Sequence, residues 1–255
     1  MLAVPSPTLP SPAVPHPRVA DWVEEGPGAG APLLVAFGGM PDDGGAARFE
    51  LVGLRRQLPQ AHGLHLRDPQ RAWYLGGVAG VDGGFPGLVR RLGERIEELA
   101  PARTVLVGNS AGAYAALAVG AALGVDEVLA FVPRSGLSDE VSEMVGDERL
   151  AERRRVALTR FGDGGAPLDL AEHVERCFAE RLRAAGGQPP YRTRLRVLHA
   201  TGNREDSAHA ARFRGLSETV VQSYPRGDHQ LAKVLRASGE LAELVATALR
   251  VPLPG

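Results

Sequence analysis

The stretch Thr104-Val105-Leu106-Val107-Gly108-Asn109-Ser110-Ala111-Gly112 decides how this chain folds. Residues 105–107 are apolar and predict a short buried strand. Residues 113–119 have almost no polar face, so they predict a buried helix. The G-x-S-x-G pattern between these elements predicts a sharp turn that holds Ser110 on a strained backbone, with its hydroxyl clear of the sheet.

The glycines and the small residue of this turn have a chemical consequence. Gly108 and Gly112 let the strand and the helix come closer than side chains would allow. The main-chain N–H of Ala111 lies where the helix starts, at the positive end of the helix dipole. A negative oxygen that formed beside Ser110 would be stabilised there, so the sequence predicts Ser110 as a nucleophile and Ala111 as part of an oxyanion hole.

Composition limits the class of protein. The 255 residues suit one large α/β domain or two small ones, and the net charge of −1 provides no global field for nucleic acid or an anionic membrane. The single cysteine, Cys177, excludes an internal disulfide. No apolar run has the length of a membrane span, and the N-terminus lacks the features of a signal peptide. We therefore expect a cytoplasmic protein.

The order of segments predicts a mostly parallel sheet with helices on both faces. Residues 1–17 are proline-rich and predict an extended tail. The predicted core spans 18–137 and 188–255, and the polar, helical residues 138–187 predict a small cap inserted between strands. Besides the strand at 105–107, strands are expected at 32–37, 63–66, 126–133, 196–200 and 219–224, and helices at 46–58, 86–99, from about 207, and from about 230 to 249.

Three residue types appear in an order that suits nucleophilic catalysis. Ser110, an acid at 205 or 206, and His229 each lie just past the C-terminal end of a predicted strand. Parallel strands bring such ends to one edge of the sheet. A serine needs a base within hydrogen-bond reach, and the base needs a carboxylate to hold its tautomer. The sequence therefore predicts a Ser-His-acid triad.

These motifs resemble those of the α/β-hydrolases over residues 30–250. Gly108 to Gly112 matches the nucleophile elbow, and Gly227-Asp228-His229 matches the histidine turn. The resemblance implies a first oxyanion loop at Gly38-Gly39-Met40, whose Gly39 or Met40 N–H would pair with that of Ala111. Glu205 fits the family's spacing from Gly202, whereas the residues after Asp206 fit its acid turn. We favour Asp206.

Other candidate residues carry alternatives. Trp73 and Tyr74 follow a strand end, where they either wall a substrate pocket or pin a glycine-rich loop. Asn109, next to the serine, is expected to tune the substrate site. His209 is expected at the surface or in the cap. The histidines share no metal-ligand spacing, and no phosphate-binding glycine motif is present, so we expect neither a metal nor a cofactor. The arginines of the predicted cap suit either an acidic substrate or a solvated helix face; they are Arg149, Arg153, Arg154 and Arg155.

The resemblance implies a serine hydrolase, esterase-like or thioesterase-like, that acts on an ester, thioester or amide of a small-molecule or carrier-bound acyl group. Two other readings stay open. One is an acyltransferase, lyase or cyclase that uses the same fold in biosynthesis, and the other is a binding protein that keeps the elbow without turnover. The sequence leaves the substrate and the oligomeric state open.

Overall fold

A computed structural model describes residues 22–41, 45–148, 151–162, 165–187 and 193–253. The proline-rich segment 1–17 lies outside these ranges. Among the described residues, no helix combines the length and the apolar character needed to cross a bilayer.

Seven strands in the described residues form one sheet in the order β1-β3-β2-β4-β5-β6-β7. Only β1 runs antiparallel to its neighbour, and the other strands of the sheet pair in parallel. The predicted mostly parallel α/β architecture is therefore confirmed. The strands are β1 (Trp22–Glu25), β2 (Leu33–Phe37), β3 (His62–Leu66), β4 (Thr104–Asn109), β5 (Glu127–Phe131), β6 (Arg194–Ala200) and β7 (Thr219–Tyr224).

The described helices lie on both faces of this sheet. They are α1 (Val52–Arg56), α2 (Gly84–Leu99), α3 (Ala111–Leu123), α4 (Asp139–Val145), α5 (Ala151–Phe161), α6 (Leu170–Ala184), α7 (Arg204–Ala211), α8 (Leu231–Ala237) and α9 (Glu240–Leu249).

The sheet separates two hydrophobic cores. Strand β2 shows why, because its side chains alternate between the faces. Leu33, Val35 and Phe37 pack in one core together with residues of α2, α3 and α6. Leu34 and Ala36 pack in the other, with residues of α1, α8 and α9. All five residues of β2 are buried, which is typical of a central parallel strand covered on both sides.

Three predicted helices differ from the observed ones. The helix expected at 46–58 is only α1, because Leu51 adopts a left-handed backbone with φ 61°. The helix expected from 230 to 249 is divided into α8 and α9 at Gly239, whose φ is 83°. Helix α7 begins at Arg204 rather than near Ser207, since the Asn203 side chain caps it by accepting a hydrogen bond from the Asp206 N–H.

The segment predicted as a cap, 138–187, contains α4, α5 and α6 between β5 and β6. Helix α6 packs against α3, where the His173 Nε2 lies 2.9 Å from the Ala118 carbonyl oxygen. Helix α6 therefore lies on the same side of the sheet as α3. Helix α5 approaches the predicted oxyanion loop Gly38-Gly39-Met40, since Arg153 Nη1 lies 3.8 Å from the Met40 sulfur. A covering role for α4 and α5 stays a prediction.

Candidate active site

Ser110 lies in a strained turn between β4 and α3. Its backbone has φ 52° and ψ −114°, a conformation that residues with a side chain rarely adopt. The turn is held from both sides. The Ser110 N–H donates to the Phe131 carbonyl at 2.9 Å, and the Ser110 carbonyl accepts from the Tyr114 N–H at 3.1 Å. Strain persists here because the surrounding strands and helix fix the turn.

The two glycines of the elbow are required by space. A Cβ on Gly108 would lie 2.2 Å from the Gly112 carbonyl oxygen. A Cβ on Gly112 would lie 2.2 Å from the Phe37 carbonyl oxygen, at the end of β2. Glycine at both positions therefore allows the first turn of α3 to lie directly against the end of β2 and the loop that follows it.

His229 and Asp206 complete a hydrogen-bonded chain with Ser110. The Ser110 Oγ lies 2.9 Å from His229 Nε2, and His229 Nδ1 lies 2.9 and 3.0 Å from the two Asp206 carboxylate oxygens. An ionised carboxylate only accepts, so Nδ1 carries the proton and Nε2 accepts from the serine hydroxyl. The His229 side chain is 19% exposed and that of Asp206 only 2%. The imidazole therefore faces the opening while the carboxylate is shielded behind it.

The structure separates the two candidate acids. Asp206 and Glu205 are neighbours in the first turn of α7. Asp206 makes the contact with His229, whereas Glu205 is half-buried beside it. Since Asn203 caps the Asp206 N–H at 3.0 Å, the start of the helix fixes the direction of the Asp206 side chain. Asp206 therefore has the geometry that the triad requires.

The loop Gly38-Gly39-Met40 follows β2 and lies over the elbow. A Cβ on Gly39 would lie 2.8 Å from the Asn109 carbonyl oxygen. The Gly39 N–H donates to the Glu50 carboxylate at 3.1 Å. Of the two oxyanion donors that the resemblance left open in this loop, Gly39 is thus already engaged, and the Met40 N–H is the better candidate.

A cavity of about 320 Å³ opens beside Ser110 and His229. A second cavity of about 670 Å³ adjoins it, because the two share five lining residues. The walls near the serine are mostly polar. The lining residues that the sequence did not predict are Pro41, Arg48, Glu50, Gln230 and Lys233. Arg48 and Glu50 were not predicted because they fell inside the helix expected at 46–58. Gln230 and Lys233 follow the histidine turn directly, and this position could have indicated that they lie near the site.

Comparisons with known proteins bear on the fold. No family model matches the sequence, and no curated protein is similar enough to it to count as a relative. A capsule O-acetyltransferase of Neisseria meningitidis serogroup A has a similar structure, with a TM-score of 0.60 at 12% identity over 90% of each chain. The α/β-hydrolase enzyme MGS-MChE2, from a lagoon-sediment metagenome, gives a TM-score of 0.51 at 16% identity over 89% of this chain and 94% of its own.

This chain has the α/β-hydrolase fold. A third similar structure agrees, since 2,6-dihydroxy-pseudo-oxynicotine hydrolase gives a TM-score of 0.56 at 14% identity over 88% of this chain and 62% of its own. At such identities the likeness establishes the fold alone. The chemistry of this α/β-hydrolase-fold chain has to be argued from its own residues.

Trp73 and Tyr74 lie away from the cavity in this α/β-hydrolase fold. Their side chains are 1% and 0% exposed, and neither lines the space beside Ser110. Of the two alternatives for this pair, pinning of the loop fits better than walling of a pocket. The Tyr74 hydroxyl donates to the Gly38 carbonyl at 2.9 Å, so it supports the oxyanion loop. Asn109 lines the cavity, and its role at the substrate site stays a prediction.

A second Ser–His–Asp constellation lies deeper in the fold. The His209 Nε2 donates to Asp147 at 2.9 Å, and the Ser135 Oγ lies 2.9 Å from His209 Nδ1. The three residues are at most 1% exposed, and Arg134 pairs with Asp147. The expectation that His209 lies at the surface or in the cap is therefore wrong: it lies in α7, whose inner face packs against the segment after β5.

Burial explains the electrostatics of this inner group. Burial lowers the pKa of His209, because the charged imidazolium is poorly solvated there. Burial by itself would raise the pKa of Asp147. Hydrogen bonding by His209 and the charge of Arg134 outweigh it and hold the Asp147 pKa well below its usual range. The pair is therefore a neutral imidazole on an ionised carboxylate.

A possible metal site, the cysteine and the arginines of the predicted cap remain to be placed. In the described residues, no group of three or more His, Cys, Asp or Glu side chains could hold a metal ion. Cys177 is buried in α6. Arg154 is buried and donates to Asp139, while Arg155 pairs with Glu152 at the surface. Arg149 lies outside the described residues.

Proposed function

We propose that this protein is a serine hydrolase that transfers an acyl group from an ester, thioester or amide to Ser110. The observation that carries the proposal is the continuous hydrogen-bonded chain from Ser110 through His229 to Asp206 at the wall of an open cavity. Each member has the partner that its role requires. The strained elbow also holds the Ser110 hydroxyl beside His229.

The reaction follows from these contacts. The Ser110 Oγ attacks the acyl carbonyl while its proton passes to His229 Nε2, and Asp206 stabilises the resulting imidazolium. The negative oxygen of the tetrahedral intermediate is bound by the N–H groups of Ala111 and Met40. When the intermediate collapses, His229 gives the proton to the leaving group and the acyl-enzyme remains. Water, deprotonated by His229, then releases the acid and restores Ser110.

A second candidate, acyl transfer to a hydroxyl acceptor, is favoured by the shape of the site. The second cavity adjoins the one at Ser110, and together they offer room for an acceptor as well as the acyl group. Their shared residues Arg48 and Lys233 are charged, which suits a polar acceptor. One structure of the Neisseria capsule O-acetyltransferase contains CoA, which makes a thioester donor a reasonable first choice to test here. Such a reaction is expected in the cytoplasm.

The test is acylation of Ser110. We expect a fluorophosphonate to add one label to the wild-type protein, located on Ser110 by peptide mass spectrometry, and we expect hydrolysis of p-nitrophenyl acetate. Ser110→Ala should lose the label and lower kcat by on the order of 10³ or more. Ser135→Ala is the matched control, because it removes the serine of the inner constellation and should keep the label. Folded wild-type protein that stays unlabelled and inactive would refute the proposal.

Hydrolysis and transfer are separated by the products. The acetyl ester is supplied together with a hydroxyl acceptor such as a monosaccharide, and both acetate and acetylated acceptor are measured. A hydrolase forms acetate in proportion to the ester consumed. A transferase forms acetylated acceptor in a reaction that disappears with Ser110→Ala.

A further inference from the structure

A single peptide group in the oxyanion loop is held at both of its polar atoms. The carbonyl oxygen of Gly38 accepts a hydrogen bond from the Tyr74 hydroxyl at 2.9 Å. The N–H of Gly39, which belongs to the same peptide, donates to the Glu50 carboxylate at 3.1 Å. Because a peptide is planar, two bonds on its opposite sides fix the direction of the whole group.

The Tyr74 support is rigid. The side chain is fully buried, and its ring stacks edge to face on Phe37 with the centroids 5.5 Å apart. The Tyr74 N–H donates to the buried Asp68 carboxylate at 2.9 Å. The backbone has φ 62°, so the loop is held in a strained, left-handed conformation. The hydroxyl therefore reaches Gly38 from a fixed base in the core.

The Glu50 support is held in place through the main-chain carbonyl of Glu50. The Glu50 carbonyl lies 3.0 Å from Nδ1 of His65, a fully buried residue of β3. Since a carbonyl only accepts, His65 Nδ1 carries the proton and donates. Because Leu51 has a left-handed backbone, α1 begins only after it, at Val52. Glu50 therefore lies outside the helix, with its carboxylate beside Gly39.

The fixed peptide anchors one side of Gly39, the residue that joins it to the next peptide. The following peptide group carries the Met40 N–H, and Gly39 joins the two directly above the Asn109 carbonyl. We propose that Tyr74 and Glu50 are positioning residues that together hold the Met40 N–H toward the oxygen of the tetrahedral intermediate. This inference rests on the proposed function. It assigns Glu50 the role of a hydrogen-bond acceptor, not of a charge that contacts substrate.

The role predicts a particular kinetic pattern. An oxyanion donor interacts more strongly with the intermediate than with the ground-state carbonyl, so its misplacement lowers kcat and leaves KM nearly unchanged. Removal of a whole donor costs about 10²–10³ in kcat, and loss of one of its two supports should cost about 10–100-fold. Binding of a boronic acid, which forms a tetrahedral adduct with Ser110, should weaken by a similar factor.

The experiment compares four variants with the wild-type protein on p-nitrophenyl acetate and on a phenylboronic acid. Tyr74→Phe and Glu50→Ala each remove one support, and both should show the lowered kcat and the weakened boronate binding. Glu50→Gln keeps an oxygen that can accept from Gly39, so it should restore kcat to within about threefold of wild type. Tyr224→Phe is the matched control, because it removes another buried tyrosine hydroxyl, which accepts from the Gln222 side chain at 2.7 Å, and should leave kcat unchanged.

Each outcome decides the matter. Glu50→Gln as slow as Glu50→Ala would mean that the charge matters, which overturns the assigned role. A raised KM at unchanged kcat would assign these residues to substrate binding and also overturns it. If Tyr74→Phe fails to fold, the two Glu50 variants still decide. Wild-type protein without Ser110-dependent turnover would refute the proposed function itself, whereas an active wild type with unchanged variants would refute only the positioning role.

Discussion

Helix α7 carries a member of each of two Ser–His–Asp constellations: Asp206 of the one at the cavity and His209 of the buried one. Their hydrogen-bond lengths are nearly equal, since each serine oxygen lies 2.9 Å from its histidine and each histidine lies 2.9 Å from a carboxylate oxygen. Distances alone therefore do not distinguish a candidate catalytic group from a structural one.

The tautomers and the surroundings do distinguish them. His229 donates from Nδ1 and accepts from the serine at Nε2, as a general base must. His209 is reversed: it donates from Nε2 to Asp147, and its Nδ1 accepts the main-chain N–H of Ser135 at 3.0 Å. With that atom engaged by a peptide N–H and no solvent access, the inner group has no capacity to move a proton to a substrate.

The largest expected effect is on the carboxylate of the outer group. Asp206→Asn should lower kcat by on the order of 10⁴, because an amide at this position favours the wrong tautomer of His229. Ester turnover measured under saturating substrate checks this. Glu205→Gln, one residue earlier in the same helix turn, is the matched control and should change kcat by no more than about twofold. If the two variants exchanged these effects, Glu205 would be the acid.

The corresponding change in the inner group should act on stability. Asp147→Asn removes the carboxylate charge that pairs with the buried guanidinium of Arg134. The free energy of unfolding is expected to fall by about 3–5 kcal/mol, measured by urea denaturation. The folded fraction should retain kcat near wild type at a temperature well below the midpoint. A large loss of kcat in fully folded protein would mean that the two groups are coupled through α7.

The smallest expected effect is on the pH dependence of stability. Burial lowers the pKa of His209 below its ordinary 6.5, so the unfolded chain binds a proton near that pH while the folded chain does not. Stability should therefore fall as pH falls below about 6.5, by up to about 1.4 kcal/mol per pH unit for each such group. Burial also lowers the pKa of three other histidines, which add in the same direction; they are His65, His173 and His199.

His209→Gln should remove one part of this dependence. The unfolding free energy of the variant, measured between pH 6.5 and 5, should show a shallower slope than that of the wild type, whatever its absolute stability. Glu205→Gln is again the control and should keep the wild-type slope, because it leaves the His209 imidazole and its partners unchanged. An unchanged slope in His209→Gln would show that His209 is protonated equally in both states.

Strand and helix patterns were predictable where burial is uniform. The apolar run that became β2 and the almost entirely apolar α3 are covered on all sides, so their sequences carry the signal undiluted. Prediction failed at 46–58, where Leu51 turns left-handed and frees Arg48 and Glu50 for the cavity. The left-handed position carries leucine rather than glycine, so the local sequence gives no signal for the turn. The contacts beside it are made by Glu50 with Gly39 and His65, which are 11 and 15 residues away in the chain.

The sequence alone determined the α/β class, the elbow at Ser110 and the order of serine, acid and histidine, because each depends on local patterns and on the rule that parallel strands end at one edge. Tertiary structure alone brought the Asp206 carboxylate to His229, buried Trp73 and Tyr74, and turned His209 inward. Those outcomes depend on which way a side chain points after distant segments have packed. Adjacent residues such as 205 and 206 have nearly the same local preferences, so the packed neighbours decide which of the two side chains contacts His229.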